Sequence, residues 1–398
     1  MLRWVAPAAA VAVAAAVTVA TTAAARADNH PVLPAITAEQ LLTNVLQPTT
    51  QSLSGTVKVT SDLGLPQIPG ISGAVTGTGV VPGGAASVAA GSSATSPALT
   101  GLTALLTGTN TLRVWADGPD RSRVAVISQG GESDIVRNGT DLWLWQSAGK
   151  QALHATLPAR PAGATAPQLT PAQQQELQKV VGQLPTTPQQ AAQELLALAG
   201  PTTDVTLDAT TTVAGHAAYQ LVATPKDKGT LVARVVVAVD AQTHVPLRTE
   251  VFSTQRSAPA VSVGFTDVSF TAPPADTFTF TPPAGTTVQQ WQAPSGKHDA
   301  PSGTTGTKPQ VSTTGTGWAT VVVAHLPAGS LPQAGTGTGT KGAGLLGMLP
   351  TVSGSWGSGH ALSGTLFSVL VTDNGTVAAG AVPVSALEAA LAQAGSGQ

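Results

Sequence analysis

The residues of this chain that could do chemistry are few and far apart. It contains no cysteine, so it has neither a thiol nucleophile nor a disulfide framework. Its histidines lack the His-x-x-x-His or His–carboxylate spacing that binds a metal ion; those considered are His154, His216, His244, His298, His325 and His360. We therefore predict neither a metal centre nor a cofactor.

Two glycine-rich stretches only superficially resemble catalytic loops. Gly335 to Lys341 reads GTGTGTK, but Thr340 stands where a phosphate-binding loop needs glycine before its lysine. Gly354 to Gly359 does not have the G-x-S-x-G order of a nucleophile elbow. Five carboxylates occupy turn positions in which such side chains usually cap the backbone: Asp117, Asp120, Glu132, Asp134 and Asp141. We predict that the protein is not an enzyme.

These carboxylates belong to Leu112 to Leu157, a series of short alternating runs separated by turn residues. Asn138-Gly139 is a strong hairpin signal, and a turn every eight to twelve residues predicts an antiparallel meander. Alternation places Trp143 and Trp145 on one face of their strand, and Leu142 and Leu144 on the other. The tryptophan side is predicted to cover either a core or a ligand.

The segments that flank the meander give it helices and further strands. Thr37 and Gln40 predict a capping box for a helix from Ile36 to Leu46. Strands are predicted at Leu53 to Ser61, Asp204 to Thr212, Ala218 to Ala223, Thr230 to Asp240, Leu247 to Thr254 and Val261 to Thr271, and helices at Ala172 to Leu184 and Gln189 to Ala199. Phe278 to Gly285 is predicted to stop the sheet.

Composition divides the rest of the chain. Residues 62–110 are predicted to be a flexible apolar insertion, either disordered or forming a flap over a groove or membrane surface. A linker over 293–316 leads to a small α+β module over 317–398, with a strand at Trp318 to His325, a hairpin of Thr365 to Thr372 with Val377 to Val382, and a final helix to Ala394. Gly354 to Gly359 is predicted as a flexible loop. The module has few large apolar residues, so we expect it to pack on the main sheet.

The N-terminus and the net charge bear on location and partners. Arg3, the apolar stretch from Ala8 to Thr22 and the Ala25-Arg26-Ala27 sequence predict a signal peptide over 1–27, cleaved after Ala27. The alternative is an uncleaved anchor over Val5 to Ala25. A net charge of −2 gives no electrostatic basis for binding nucleic acid. We predict that the protein is an exported monomer, which either stays in the extracytoplasmic cell envelope or is secreted.

The order of these motifs resembles the bacterial lipoprotein-carrier family of LolA/LolB type. The resemblance covers roughly residues 35–288. It rests on the capped first helix, the Gly118-Pro119-Asp120 turn followed by Arg123, the run from Glu132 to Trp145, the Val239-Asp240 to Pro246-Leu247-Arg248 hairpin, and the closing Phe278-x-Phe280-x-Pro282-Pro283. The insertion, the added module and the Ala/Thr-rich composition depart from the compact carriers. They suggest an actinobacterial envelope protein.

The resemblance implies an α+β fold in which an unclosed antiparallel β-barrel, or half-barrel, wraps around helices over residues 28–292. It also implies an apolar cavity for acyl chains, lined by Trp115, Trp143, Trp145, Leu42, Val45, Leu195 and Leu198. Which face of the meander points inward is left open by the sequence.

Three functions follow from this interpretation. The first is an exported carrier whose ligand is an acyl lipid or a lipoprotein. The second is an envelope-stress or regulatory protein on the same scaffold, in which the C-terminal module docks on a membrane protein or an anti-sigma factor. The third is a structural wall protein with a filled barrel.

Overall fold

The computed structural model of the protein describes residues 31–65, 108–128, 131–157, 196, 199–292, 310–325 and 349–395. The α-helices of these ranges are α1 (Ala38–Leu46) and α2 (Val384–Gly395). The strands are β1 (Ser52–Ser61), β2 (Gly108–Asp117), β3 (Arg121–Ser128), β4 (Gly131–Asn138), β5 (Asp141–Gln146), β6 (Gln151–Thr156), β7 (Thr203–Val213), β8 (His216–Pro225), β9 (Val232–Asp240), β10 (Pro246–Ser253), β11 (Pro259–Ser269), β12 (Thr287–Gln292), β13 (Gln310–Thr314), β14 (Val321–His325), β15 (Thr351–Gly354), β16 (Gly357–Ser363), β17 (Ser368–Thr372) and β18 (Thr376–Gly380). Over the described ranges, no helix is long and apolar enough to cross a membrane.

Twelve of the described strands form one unclosed sheet, in the order β12-β6-β5-β4-β3-β2-β1-β11-β10-β9-β8-β7. Strand β1 pairs with β2 on one side and with β11 on the other, so it joins two series of hairpins. The hairpin turns follow the local chemistry: Gly139, in the turn between β4 and β5, has a φ of +62°, which glycine adopts without strain. The predicted meander and the unclosed sheet are confirmed.

The capping box of α1 is also confirmed. The backbone N–H of Gln40 donates to the Thr37 hydroxyl at 3.1 Å, and the N–H of Thr37 donates to the Gln40 side chain at 2.9 Å. Each bond satisfies a backbone donor that the helix itself leaves free. The helix buries Leu41 completely and contacts β7.

The sheet departs from the prediction at two places. Residues 108–110, assigned to the insertion, are the start of β2, because Gly108 already pairs with Ser61 of β1; residues 66–107 of that insertion lie outside the described residues. Phe278 to Gly285 does not stop the sheet, since β12 follows and pairs in parallel with β6. The sheet is therefore not wholly antiparallel. The parallel pairing gives hydrogen-bond partners to the backbone of β6. The sequence of β12, TVQQWQ, has no alternation that marks a strand.

Wrapping of the sheet around helices stays a prediction. Of the two described α-helices, α1 contacts the large sheet at β7, and α2 packs on the second sheet; a 3-10 helix at Ala275–Phe278 also contacts β3 and β4. The predicted helix over 172–184 lies outside the described residues. In the segment 189–199 the structure describes helical residues only at Leu196 and Ala199.

The C-terminal residues form a second sheet, in the order β13-β14-β18-β17-β16-β15. Helix α2 packs on it around a core that includes Val323, Leu370 and Leu387, all fully buried. The β17–β18 hairpin is confirmed. The predicted loop at Gly354 to Gly359 is wrong, because these residues form the β15–β16 hairpin, whose pairing begins at Gly354 and Gly357. Strand β13 lies inside the predicted linker, and Trp318 lies in a short 3-10 helix before β14.

Candidate functional site

Most of the charged side chains considered for chemistry are held in ion pairs or turns. Arg121 pairs with Asp117, Arg137 with Asp120 at 2.8 Å, and His154 with Asp141 at 2.9 Å. Within the described ranges, no three His, Asp or Glu side chains come together where they could hold a metal ion. The turn position predicted for all five carboxylates is wrong for Glu132 and Asp134, which lie within strand β4. His298 lies outside the described residues.

The most deeply placed charges lie on the face of the large sheet that carries Trp115, Trp143 and Trp145, which we call the tryptophan face. Asp134 is 2% exposed and forms an ion pair at 2.5 Å with Arg123, whose side chain is 27% exposed. Partial burial and then the neighbouring Asp134 carboxylate raise the pKa of Glu132. These groups stabilise the packing between strands β3 and β4.

The tryptophan face is covered by the chain itself. Phe280 contacts the rings of Trp143 and Trp145, with centroids 5.3 and 6.1 Å apart. On the other side of Trp143 the His154 ring stacks at 4.1 Å. Phe278 is also buried. Of the three tryptophans predicted to line a cavity, Trp143 and Trp145 therefore contact Phe280.

The other predicted site residues lie elsewhere. The guanidinium groups of Arg113 and Arg123 lie 5.9 and 5.6 Å from the centre of the Trp115 ring. Leu42 and Val45 are half-buried on α1. Leu195 and Leu198 lie outside the described residues. The structure thus places the three tryptophans of the predicted set on one face, and Leu42 and Val45 on α1, which contacts β7.

The opposite face of the sheet, which we call the aliphatic face, carries two rows of mainly apolar side chains. Strand register aligns Val59, Val263, Thr249, Val237, Leu221 and Leu207 in the first row, and Ser61, Val261, Val251, Val235, Ala223 and Val205 in the second. Val263 is 39% exposed, and Leu207, Leu221, Val237 and all the apolar residues of the second row are half-buried. We call the surface formed by these two rows the trough. Six strands about 4.8 Å apart make it about 24 Å long.

One long side of the trough is bordered by the segment that leads into α1. Tyr219 lies on the same face of β8 as Leu221, and its hydroxyl donates to Pro34 O at 2.9 Å. Its cross-strand partner Val239 is fully buried. Beyond the helix, Thr49 N donates to Thr243 O at 3.0 Å, in the turn after β9. Both flanks of α1 are thus fixed along this side of the trough.

The other long side of the trough is bordered by the C-terminal module. Ser253, two residues beyond Val251, donates from its hydroxyl to Thr365 O at 2.6 Å. Thr203, two residues before Val205, accepts from the indole N–H of Trp318 at 2.8 Å. The predicted packing of the module on the main sheet is confirmed. The trough is therefore bordered along both of its long sides.

Sequence reasoning missed the trough because its rows run across strands. Strand β9 reads VARVVVAVD, in which valine occupies adjacent positions and hides the period of two. Val236 is buried and Val237 is half-buried, although the two residues are chemically identical. The signal that was available is the spacing of apolar residues. Val205 and Leu207 are two positions apart, as are Leu221 and Ala223, so each pair lies on one face of its strand.

No protein-family model and no curated protein matches the chain. Solved structures to which it is similar include the MucA/MucB complex of Pseudomonas aeruginosa, with a TM-score of 0.39 and 15% identity over 89% of this chain and 96% of that one. A LolA superfamily protein of Nitrosomonas europaea aligns with a TM-score of 0.21 and 13% identity, over 62% and 99% of the two chains. A putative outer membrane lipoprotein-sorting protein domain of Vibrio parahaemolyticus aligns at 0.20 and 10%, over 58% and 92%.

Proposed function

We propose that the protein is an extracytoplasmic binding protein whose trough holds an acyl chain of a lipid or lipoprotein. The observation that carries the proposal is the pair of rows from β1 to β7, in which every valine and leucine side chain except that of Val59 is half-buried or exposed. Contiguous apolar surface of this kind marks a site for an apolar ligand or partner. These rows contain no charged residue, in contrast to strands β3 and β4.

The size of the trough fits one acyl chain. The hydrocarbon core of a bilayer is about 30 Å thick and contains two leaflets, so one chain spans about 15 Å. A trough of about 24 Å accommodates that length. Burial of about ten methylene groups at ~0.8 kcal/mol each would give ~8 kcal/mol, which corresponds to a dissociation constant near 1 μM.

The test is titration of the mature protein with a fluorescent fatty acid. In the double variant Val237→Thr/Val263→Thr, two hydroxyls of nearly unchanged shape face the ligand. Two desolvated hydroxyls at ~1 kcal/mol each should weaken binding roughly 30-fold.

The matched control is Val222→Thr/Val236→Thr, since these two valines pair across β8 and β9 on the opposite face and are each 8% exposed. The control should lower the free energy of unfolding and leave the affinity of the folded protein unchanged. Equal affinity in wild type and the trough variant, or no saturable binding by wild type, would contradict the proposal.

We also propose that the protein is exported and that it is not an enzyme. N-terminal sequencing of the protein secreted by its host should begin at Asp28. The regulator alternative, in which residues 317–398 bind a membrane protein, stays a prediction. The regulator alternative requires that a substitution on the module surface abolish binding to the membrane protein while fatty-acid binding remains.

A further inference from the structure

The two ends of the trough differ in their access to water. At β7 the trough reaches the last strand of the large sheet, where Val205 and Leu207 are half-buried. The residues that alternate with them, Asp204, Thr206 and Asp208, are exposed. Within the described ranges, no further strand pairs with the outer side of β7. This end of the trough is therefore an open margin of the sheet.

The β1 end lies in the interior of the sheet, because β1 is paired on both sides. Val59 and Ser61, with which the two rows end, are 7% and 5% exposed. Val59 also belongs to a buried cluster with Val57, Leu112 and Val126. This end of the trough is therefore shielded from water.

The polar groups around the β1 end are already engaged within the protein. Beyond β1 the rows meet Asn110 and Gly108 of β2, and both Asn110 and Ser61 take part in interactions of their own. Arg256 lies close to this end, but it forms an ion pair at 2.7 Å with Asp62, the residue after Ser61. None of these groups is left over to receive the polar head of a ligand.

We propose, on the basis of the function proposed above, that the ligand lies in one direction, with its polar head at the β7 margin and its methyl end pointing toward β1. Burying an ionised carboxylate without a partner costs far more than burying a few methylene groups gains. At β7 the head keeps its water, whereas at β1 it would lose it. A chain of about 15 Å that begins at β7 crosses about three strand spacings of 4.8 Å and ends over β10.

The direction of the ligand determines which class of ligand fits. Since the head lies outside the last strand, the sheet sets no limit on its size. The trough therefore takes acyl chains that are attached to a bulky polar head as well as free fatty acids. It selects the chain and not the head.

The experiment locates both ends of the ligand on wild-type mature protein by photo-crosslinking. Two fatty acids of equal length carry a diazirine, one beside the carboxyl group and the other at the methyl end. Tryptic cleavage after Lys226, Arg248 and Arg256 separates β7 and β8 from most of β10 and from β11. The carboxyl-side probe should label β7 or β8, and the methyl-end probe should label β10, β11 or β1. An excess of the parent fatty acid should suppress both labels.

A second measurement uses affinity alone. A fatty acid with a hydroxyl group at its methyl end should bind about fivefold more weakly than the parent acid, because this hydroxyl loses its water in the trough. Coupling of the carboxyl group to a short glycine-rich peptide should change the affinity by less than about threefold, because the head stays in water.

The outcomes separate the direction of the ligand from the function itself. Reversed labelling, or label spread equally over both ends, would overturn the proposed direction. So would a hydroxylated acid that binds as well as its parent, or a peptide-coupled acid that no longer binds. Failure of the parent fatty acid to bind, or labels that it does not suppress, would instead reject the proposed function.

Discussion

Removal of the Arg123 side chain tests the buried charges of the tryptophan face most sharply. Arg123→Ala leaves the Asp134 carboxylate, which is 2% exposed, without its cation. Breaking a buried ion pair in this way costs about 3–5 kcal/mol, because the remaining charge is uncompensated. The variant also loses the contact with the Trp115 ring. We expect the free energy of unfolding to fall by about 4 kcal/mol.

Removal of the other member of the ion pair should lower the free energy of unfolding by less. Asp134→Ala leaves a guanidinium that is 27% exposed, and water can solvate part of it. The loss should then approach that of one charged hydrogen bond, about 2 kcal/mol. In Arg123→Met/Asp134→Leu both charges are replaced by apolar side chains of similar volume. We expect this double variant to lie within about 1 kcal/mol of wild type.

Urea denaturation at neutral pH, followed by far-UV circular dichroism, measures all three variants on one scale. The m-values should agree, so that differences in midpoint report stability alone. The burial reasoning is refuted if Asp134→Ala costs as much as Arg123→Ala. It is also refuted if the double variant loses the sum of the two single effects.

Three further predictions concern other contacts. The raised pKa of Glu132 means that its protonated form contributes stability below the ordinary value of 4.5, and that this contribution is lost as pH rises through the raised pKa; Glu132→Gln should therefore flatten the decline in unfolding free energy between pH 4 and pH 7. Phe280→Ala removes two aromatic contacts and should cost about 3 kcal/mol in urea denaturation, with fatty-acid affinity unchanged. Thr37→Ala should cost about 1 kcal/mol by loss of the helix cap, and Thr37→Ser should retain most of it.

Local chemistry predicted much of the fold. The Asn138-Gly139 turn, the capping box at Thr37 and the hairpin around Asn374 each depend on residues close together in sequence. The common face of Trp143 and Trp145 followed from alternation alone. Such signals are local, so a single sequence displays them in full.

What lies against each face of the sheet could not be predicted in the same way. Alternation along β5 is symmetric and does not tell which side meets a ligand. The tryptophan side is covered because Phe280, far along the chain, returns to it. The trough extends to β1 because Val59 lies beside Val263, a pairing that no local pattern encodes.

The central position of β1 has a consequence for how the protein is made. Thr266 donates to Thr56 O at 3.2 Å, joining residues 210 positions apart in the sequence. Contacts of such separation form late, because the intervening chain must be closed into a loop. During synthesis one edge of β1 has no strand beside it until β11 is available, and such an edge can pair with other chains. The trough therefore reaches its full length only when β1 joins β11, after strands β7 to β11 have been made.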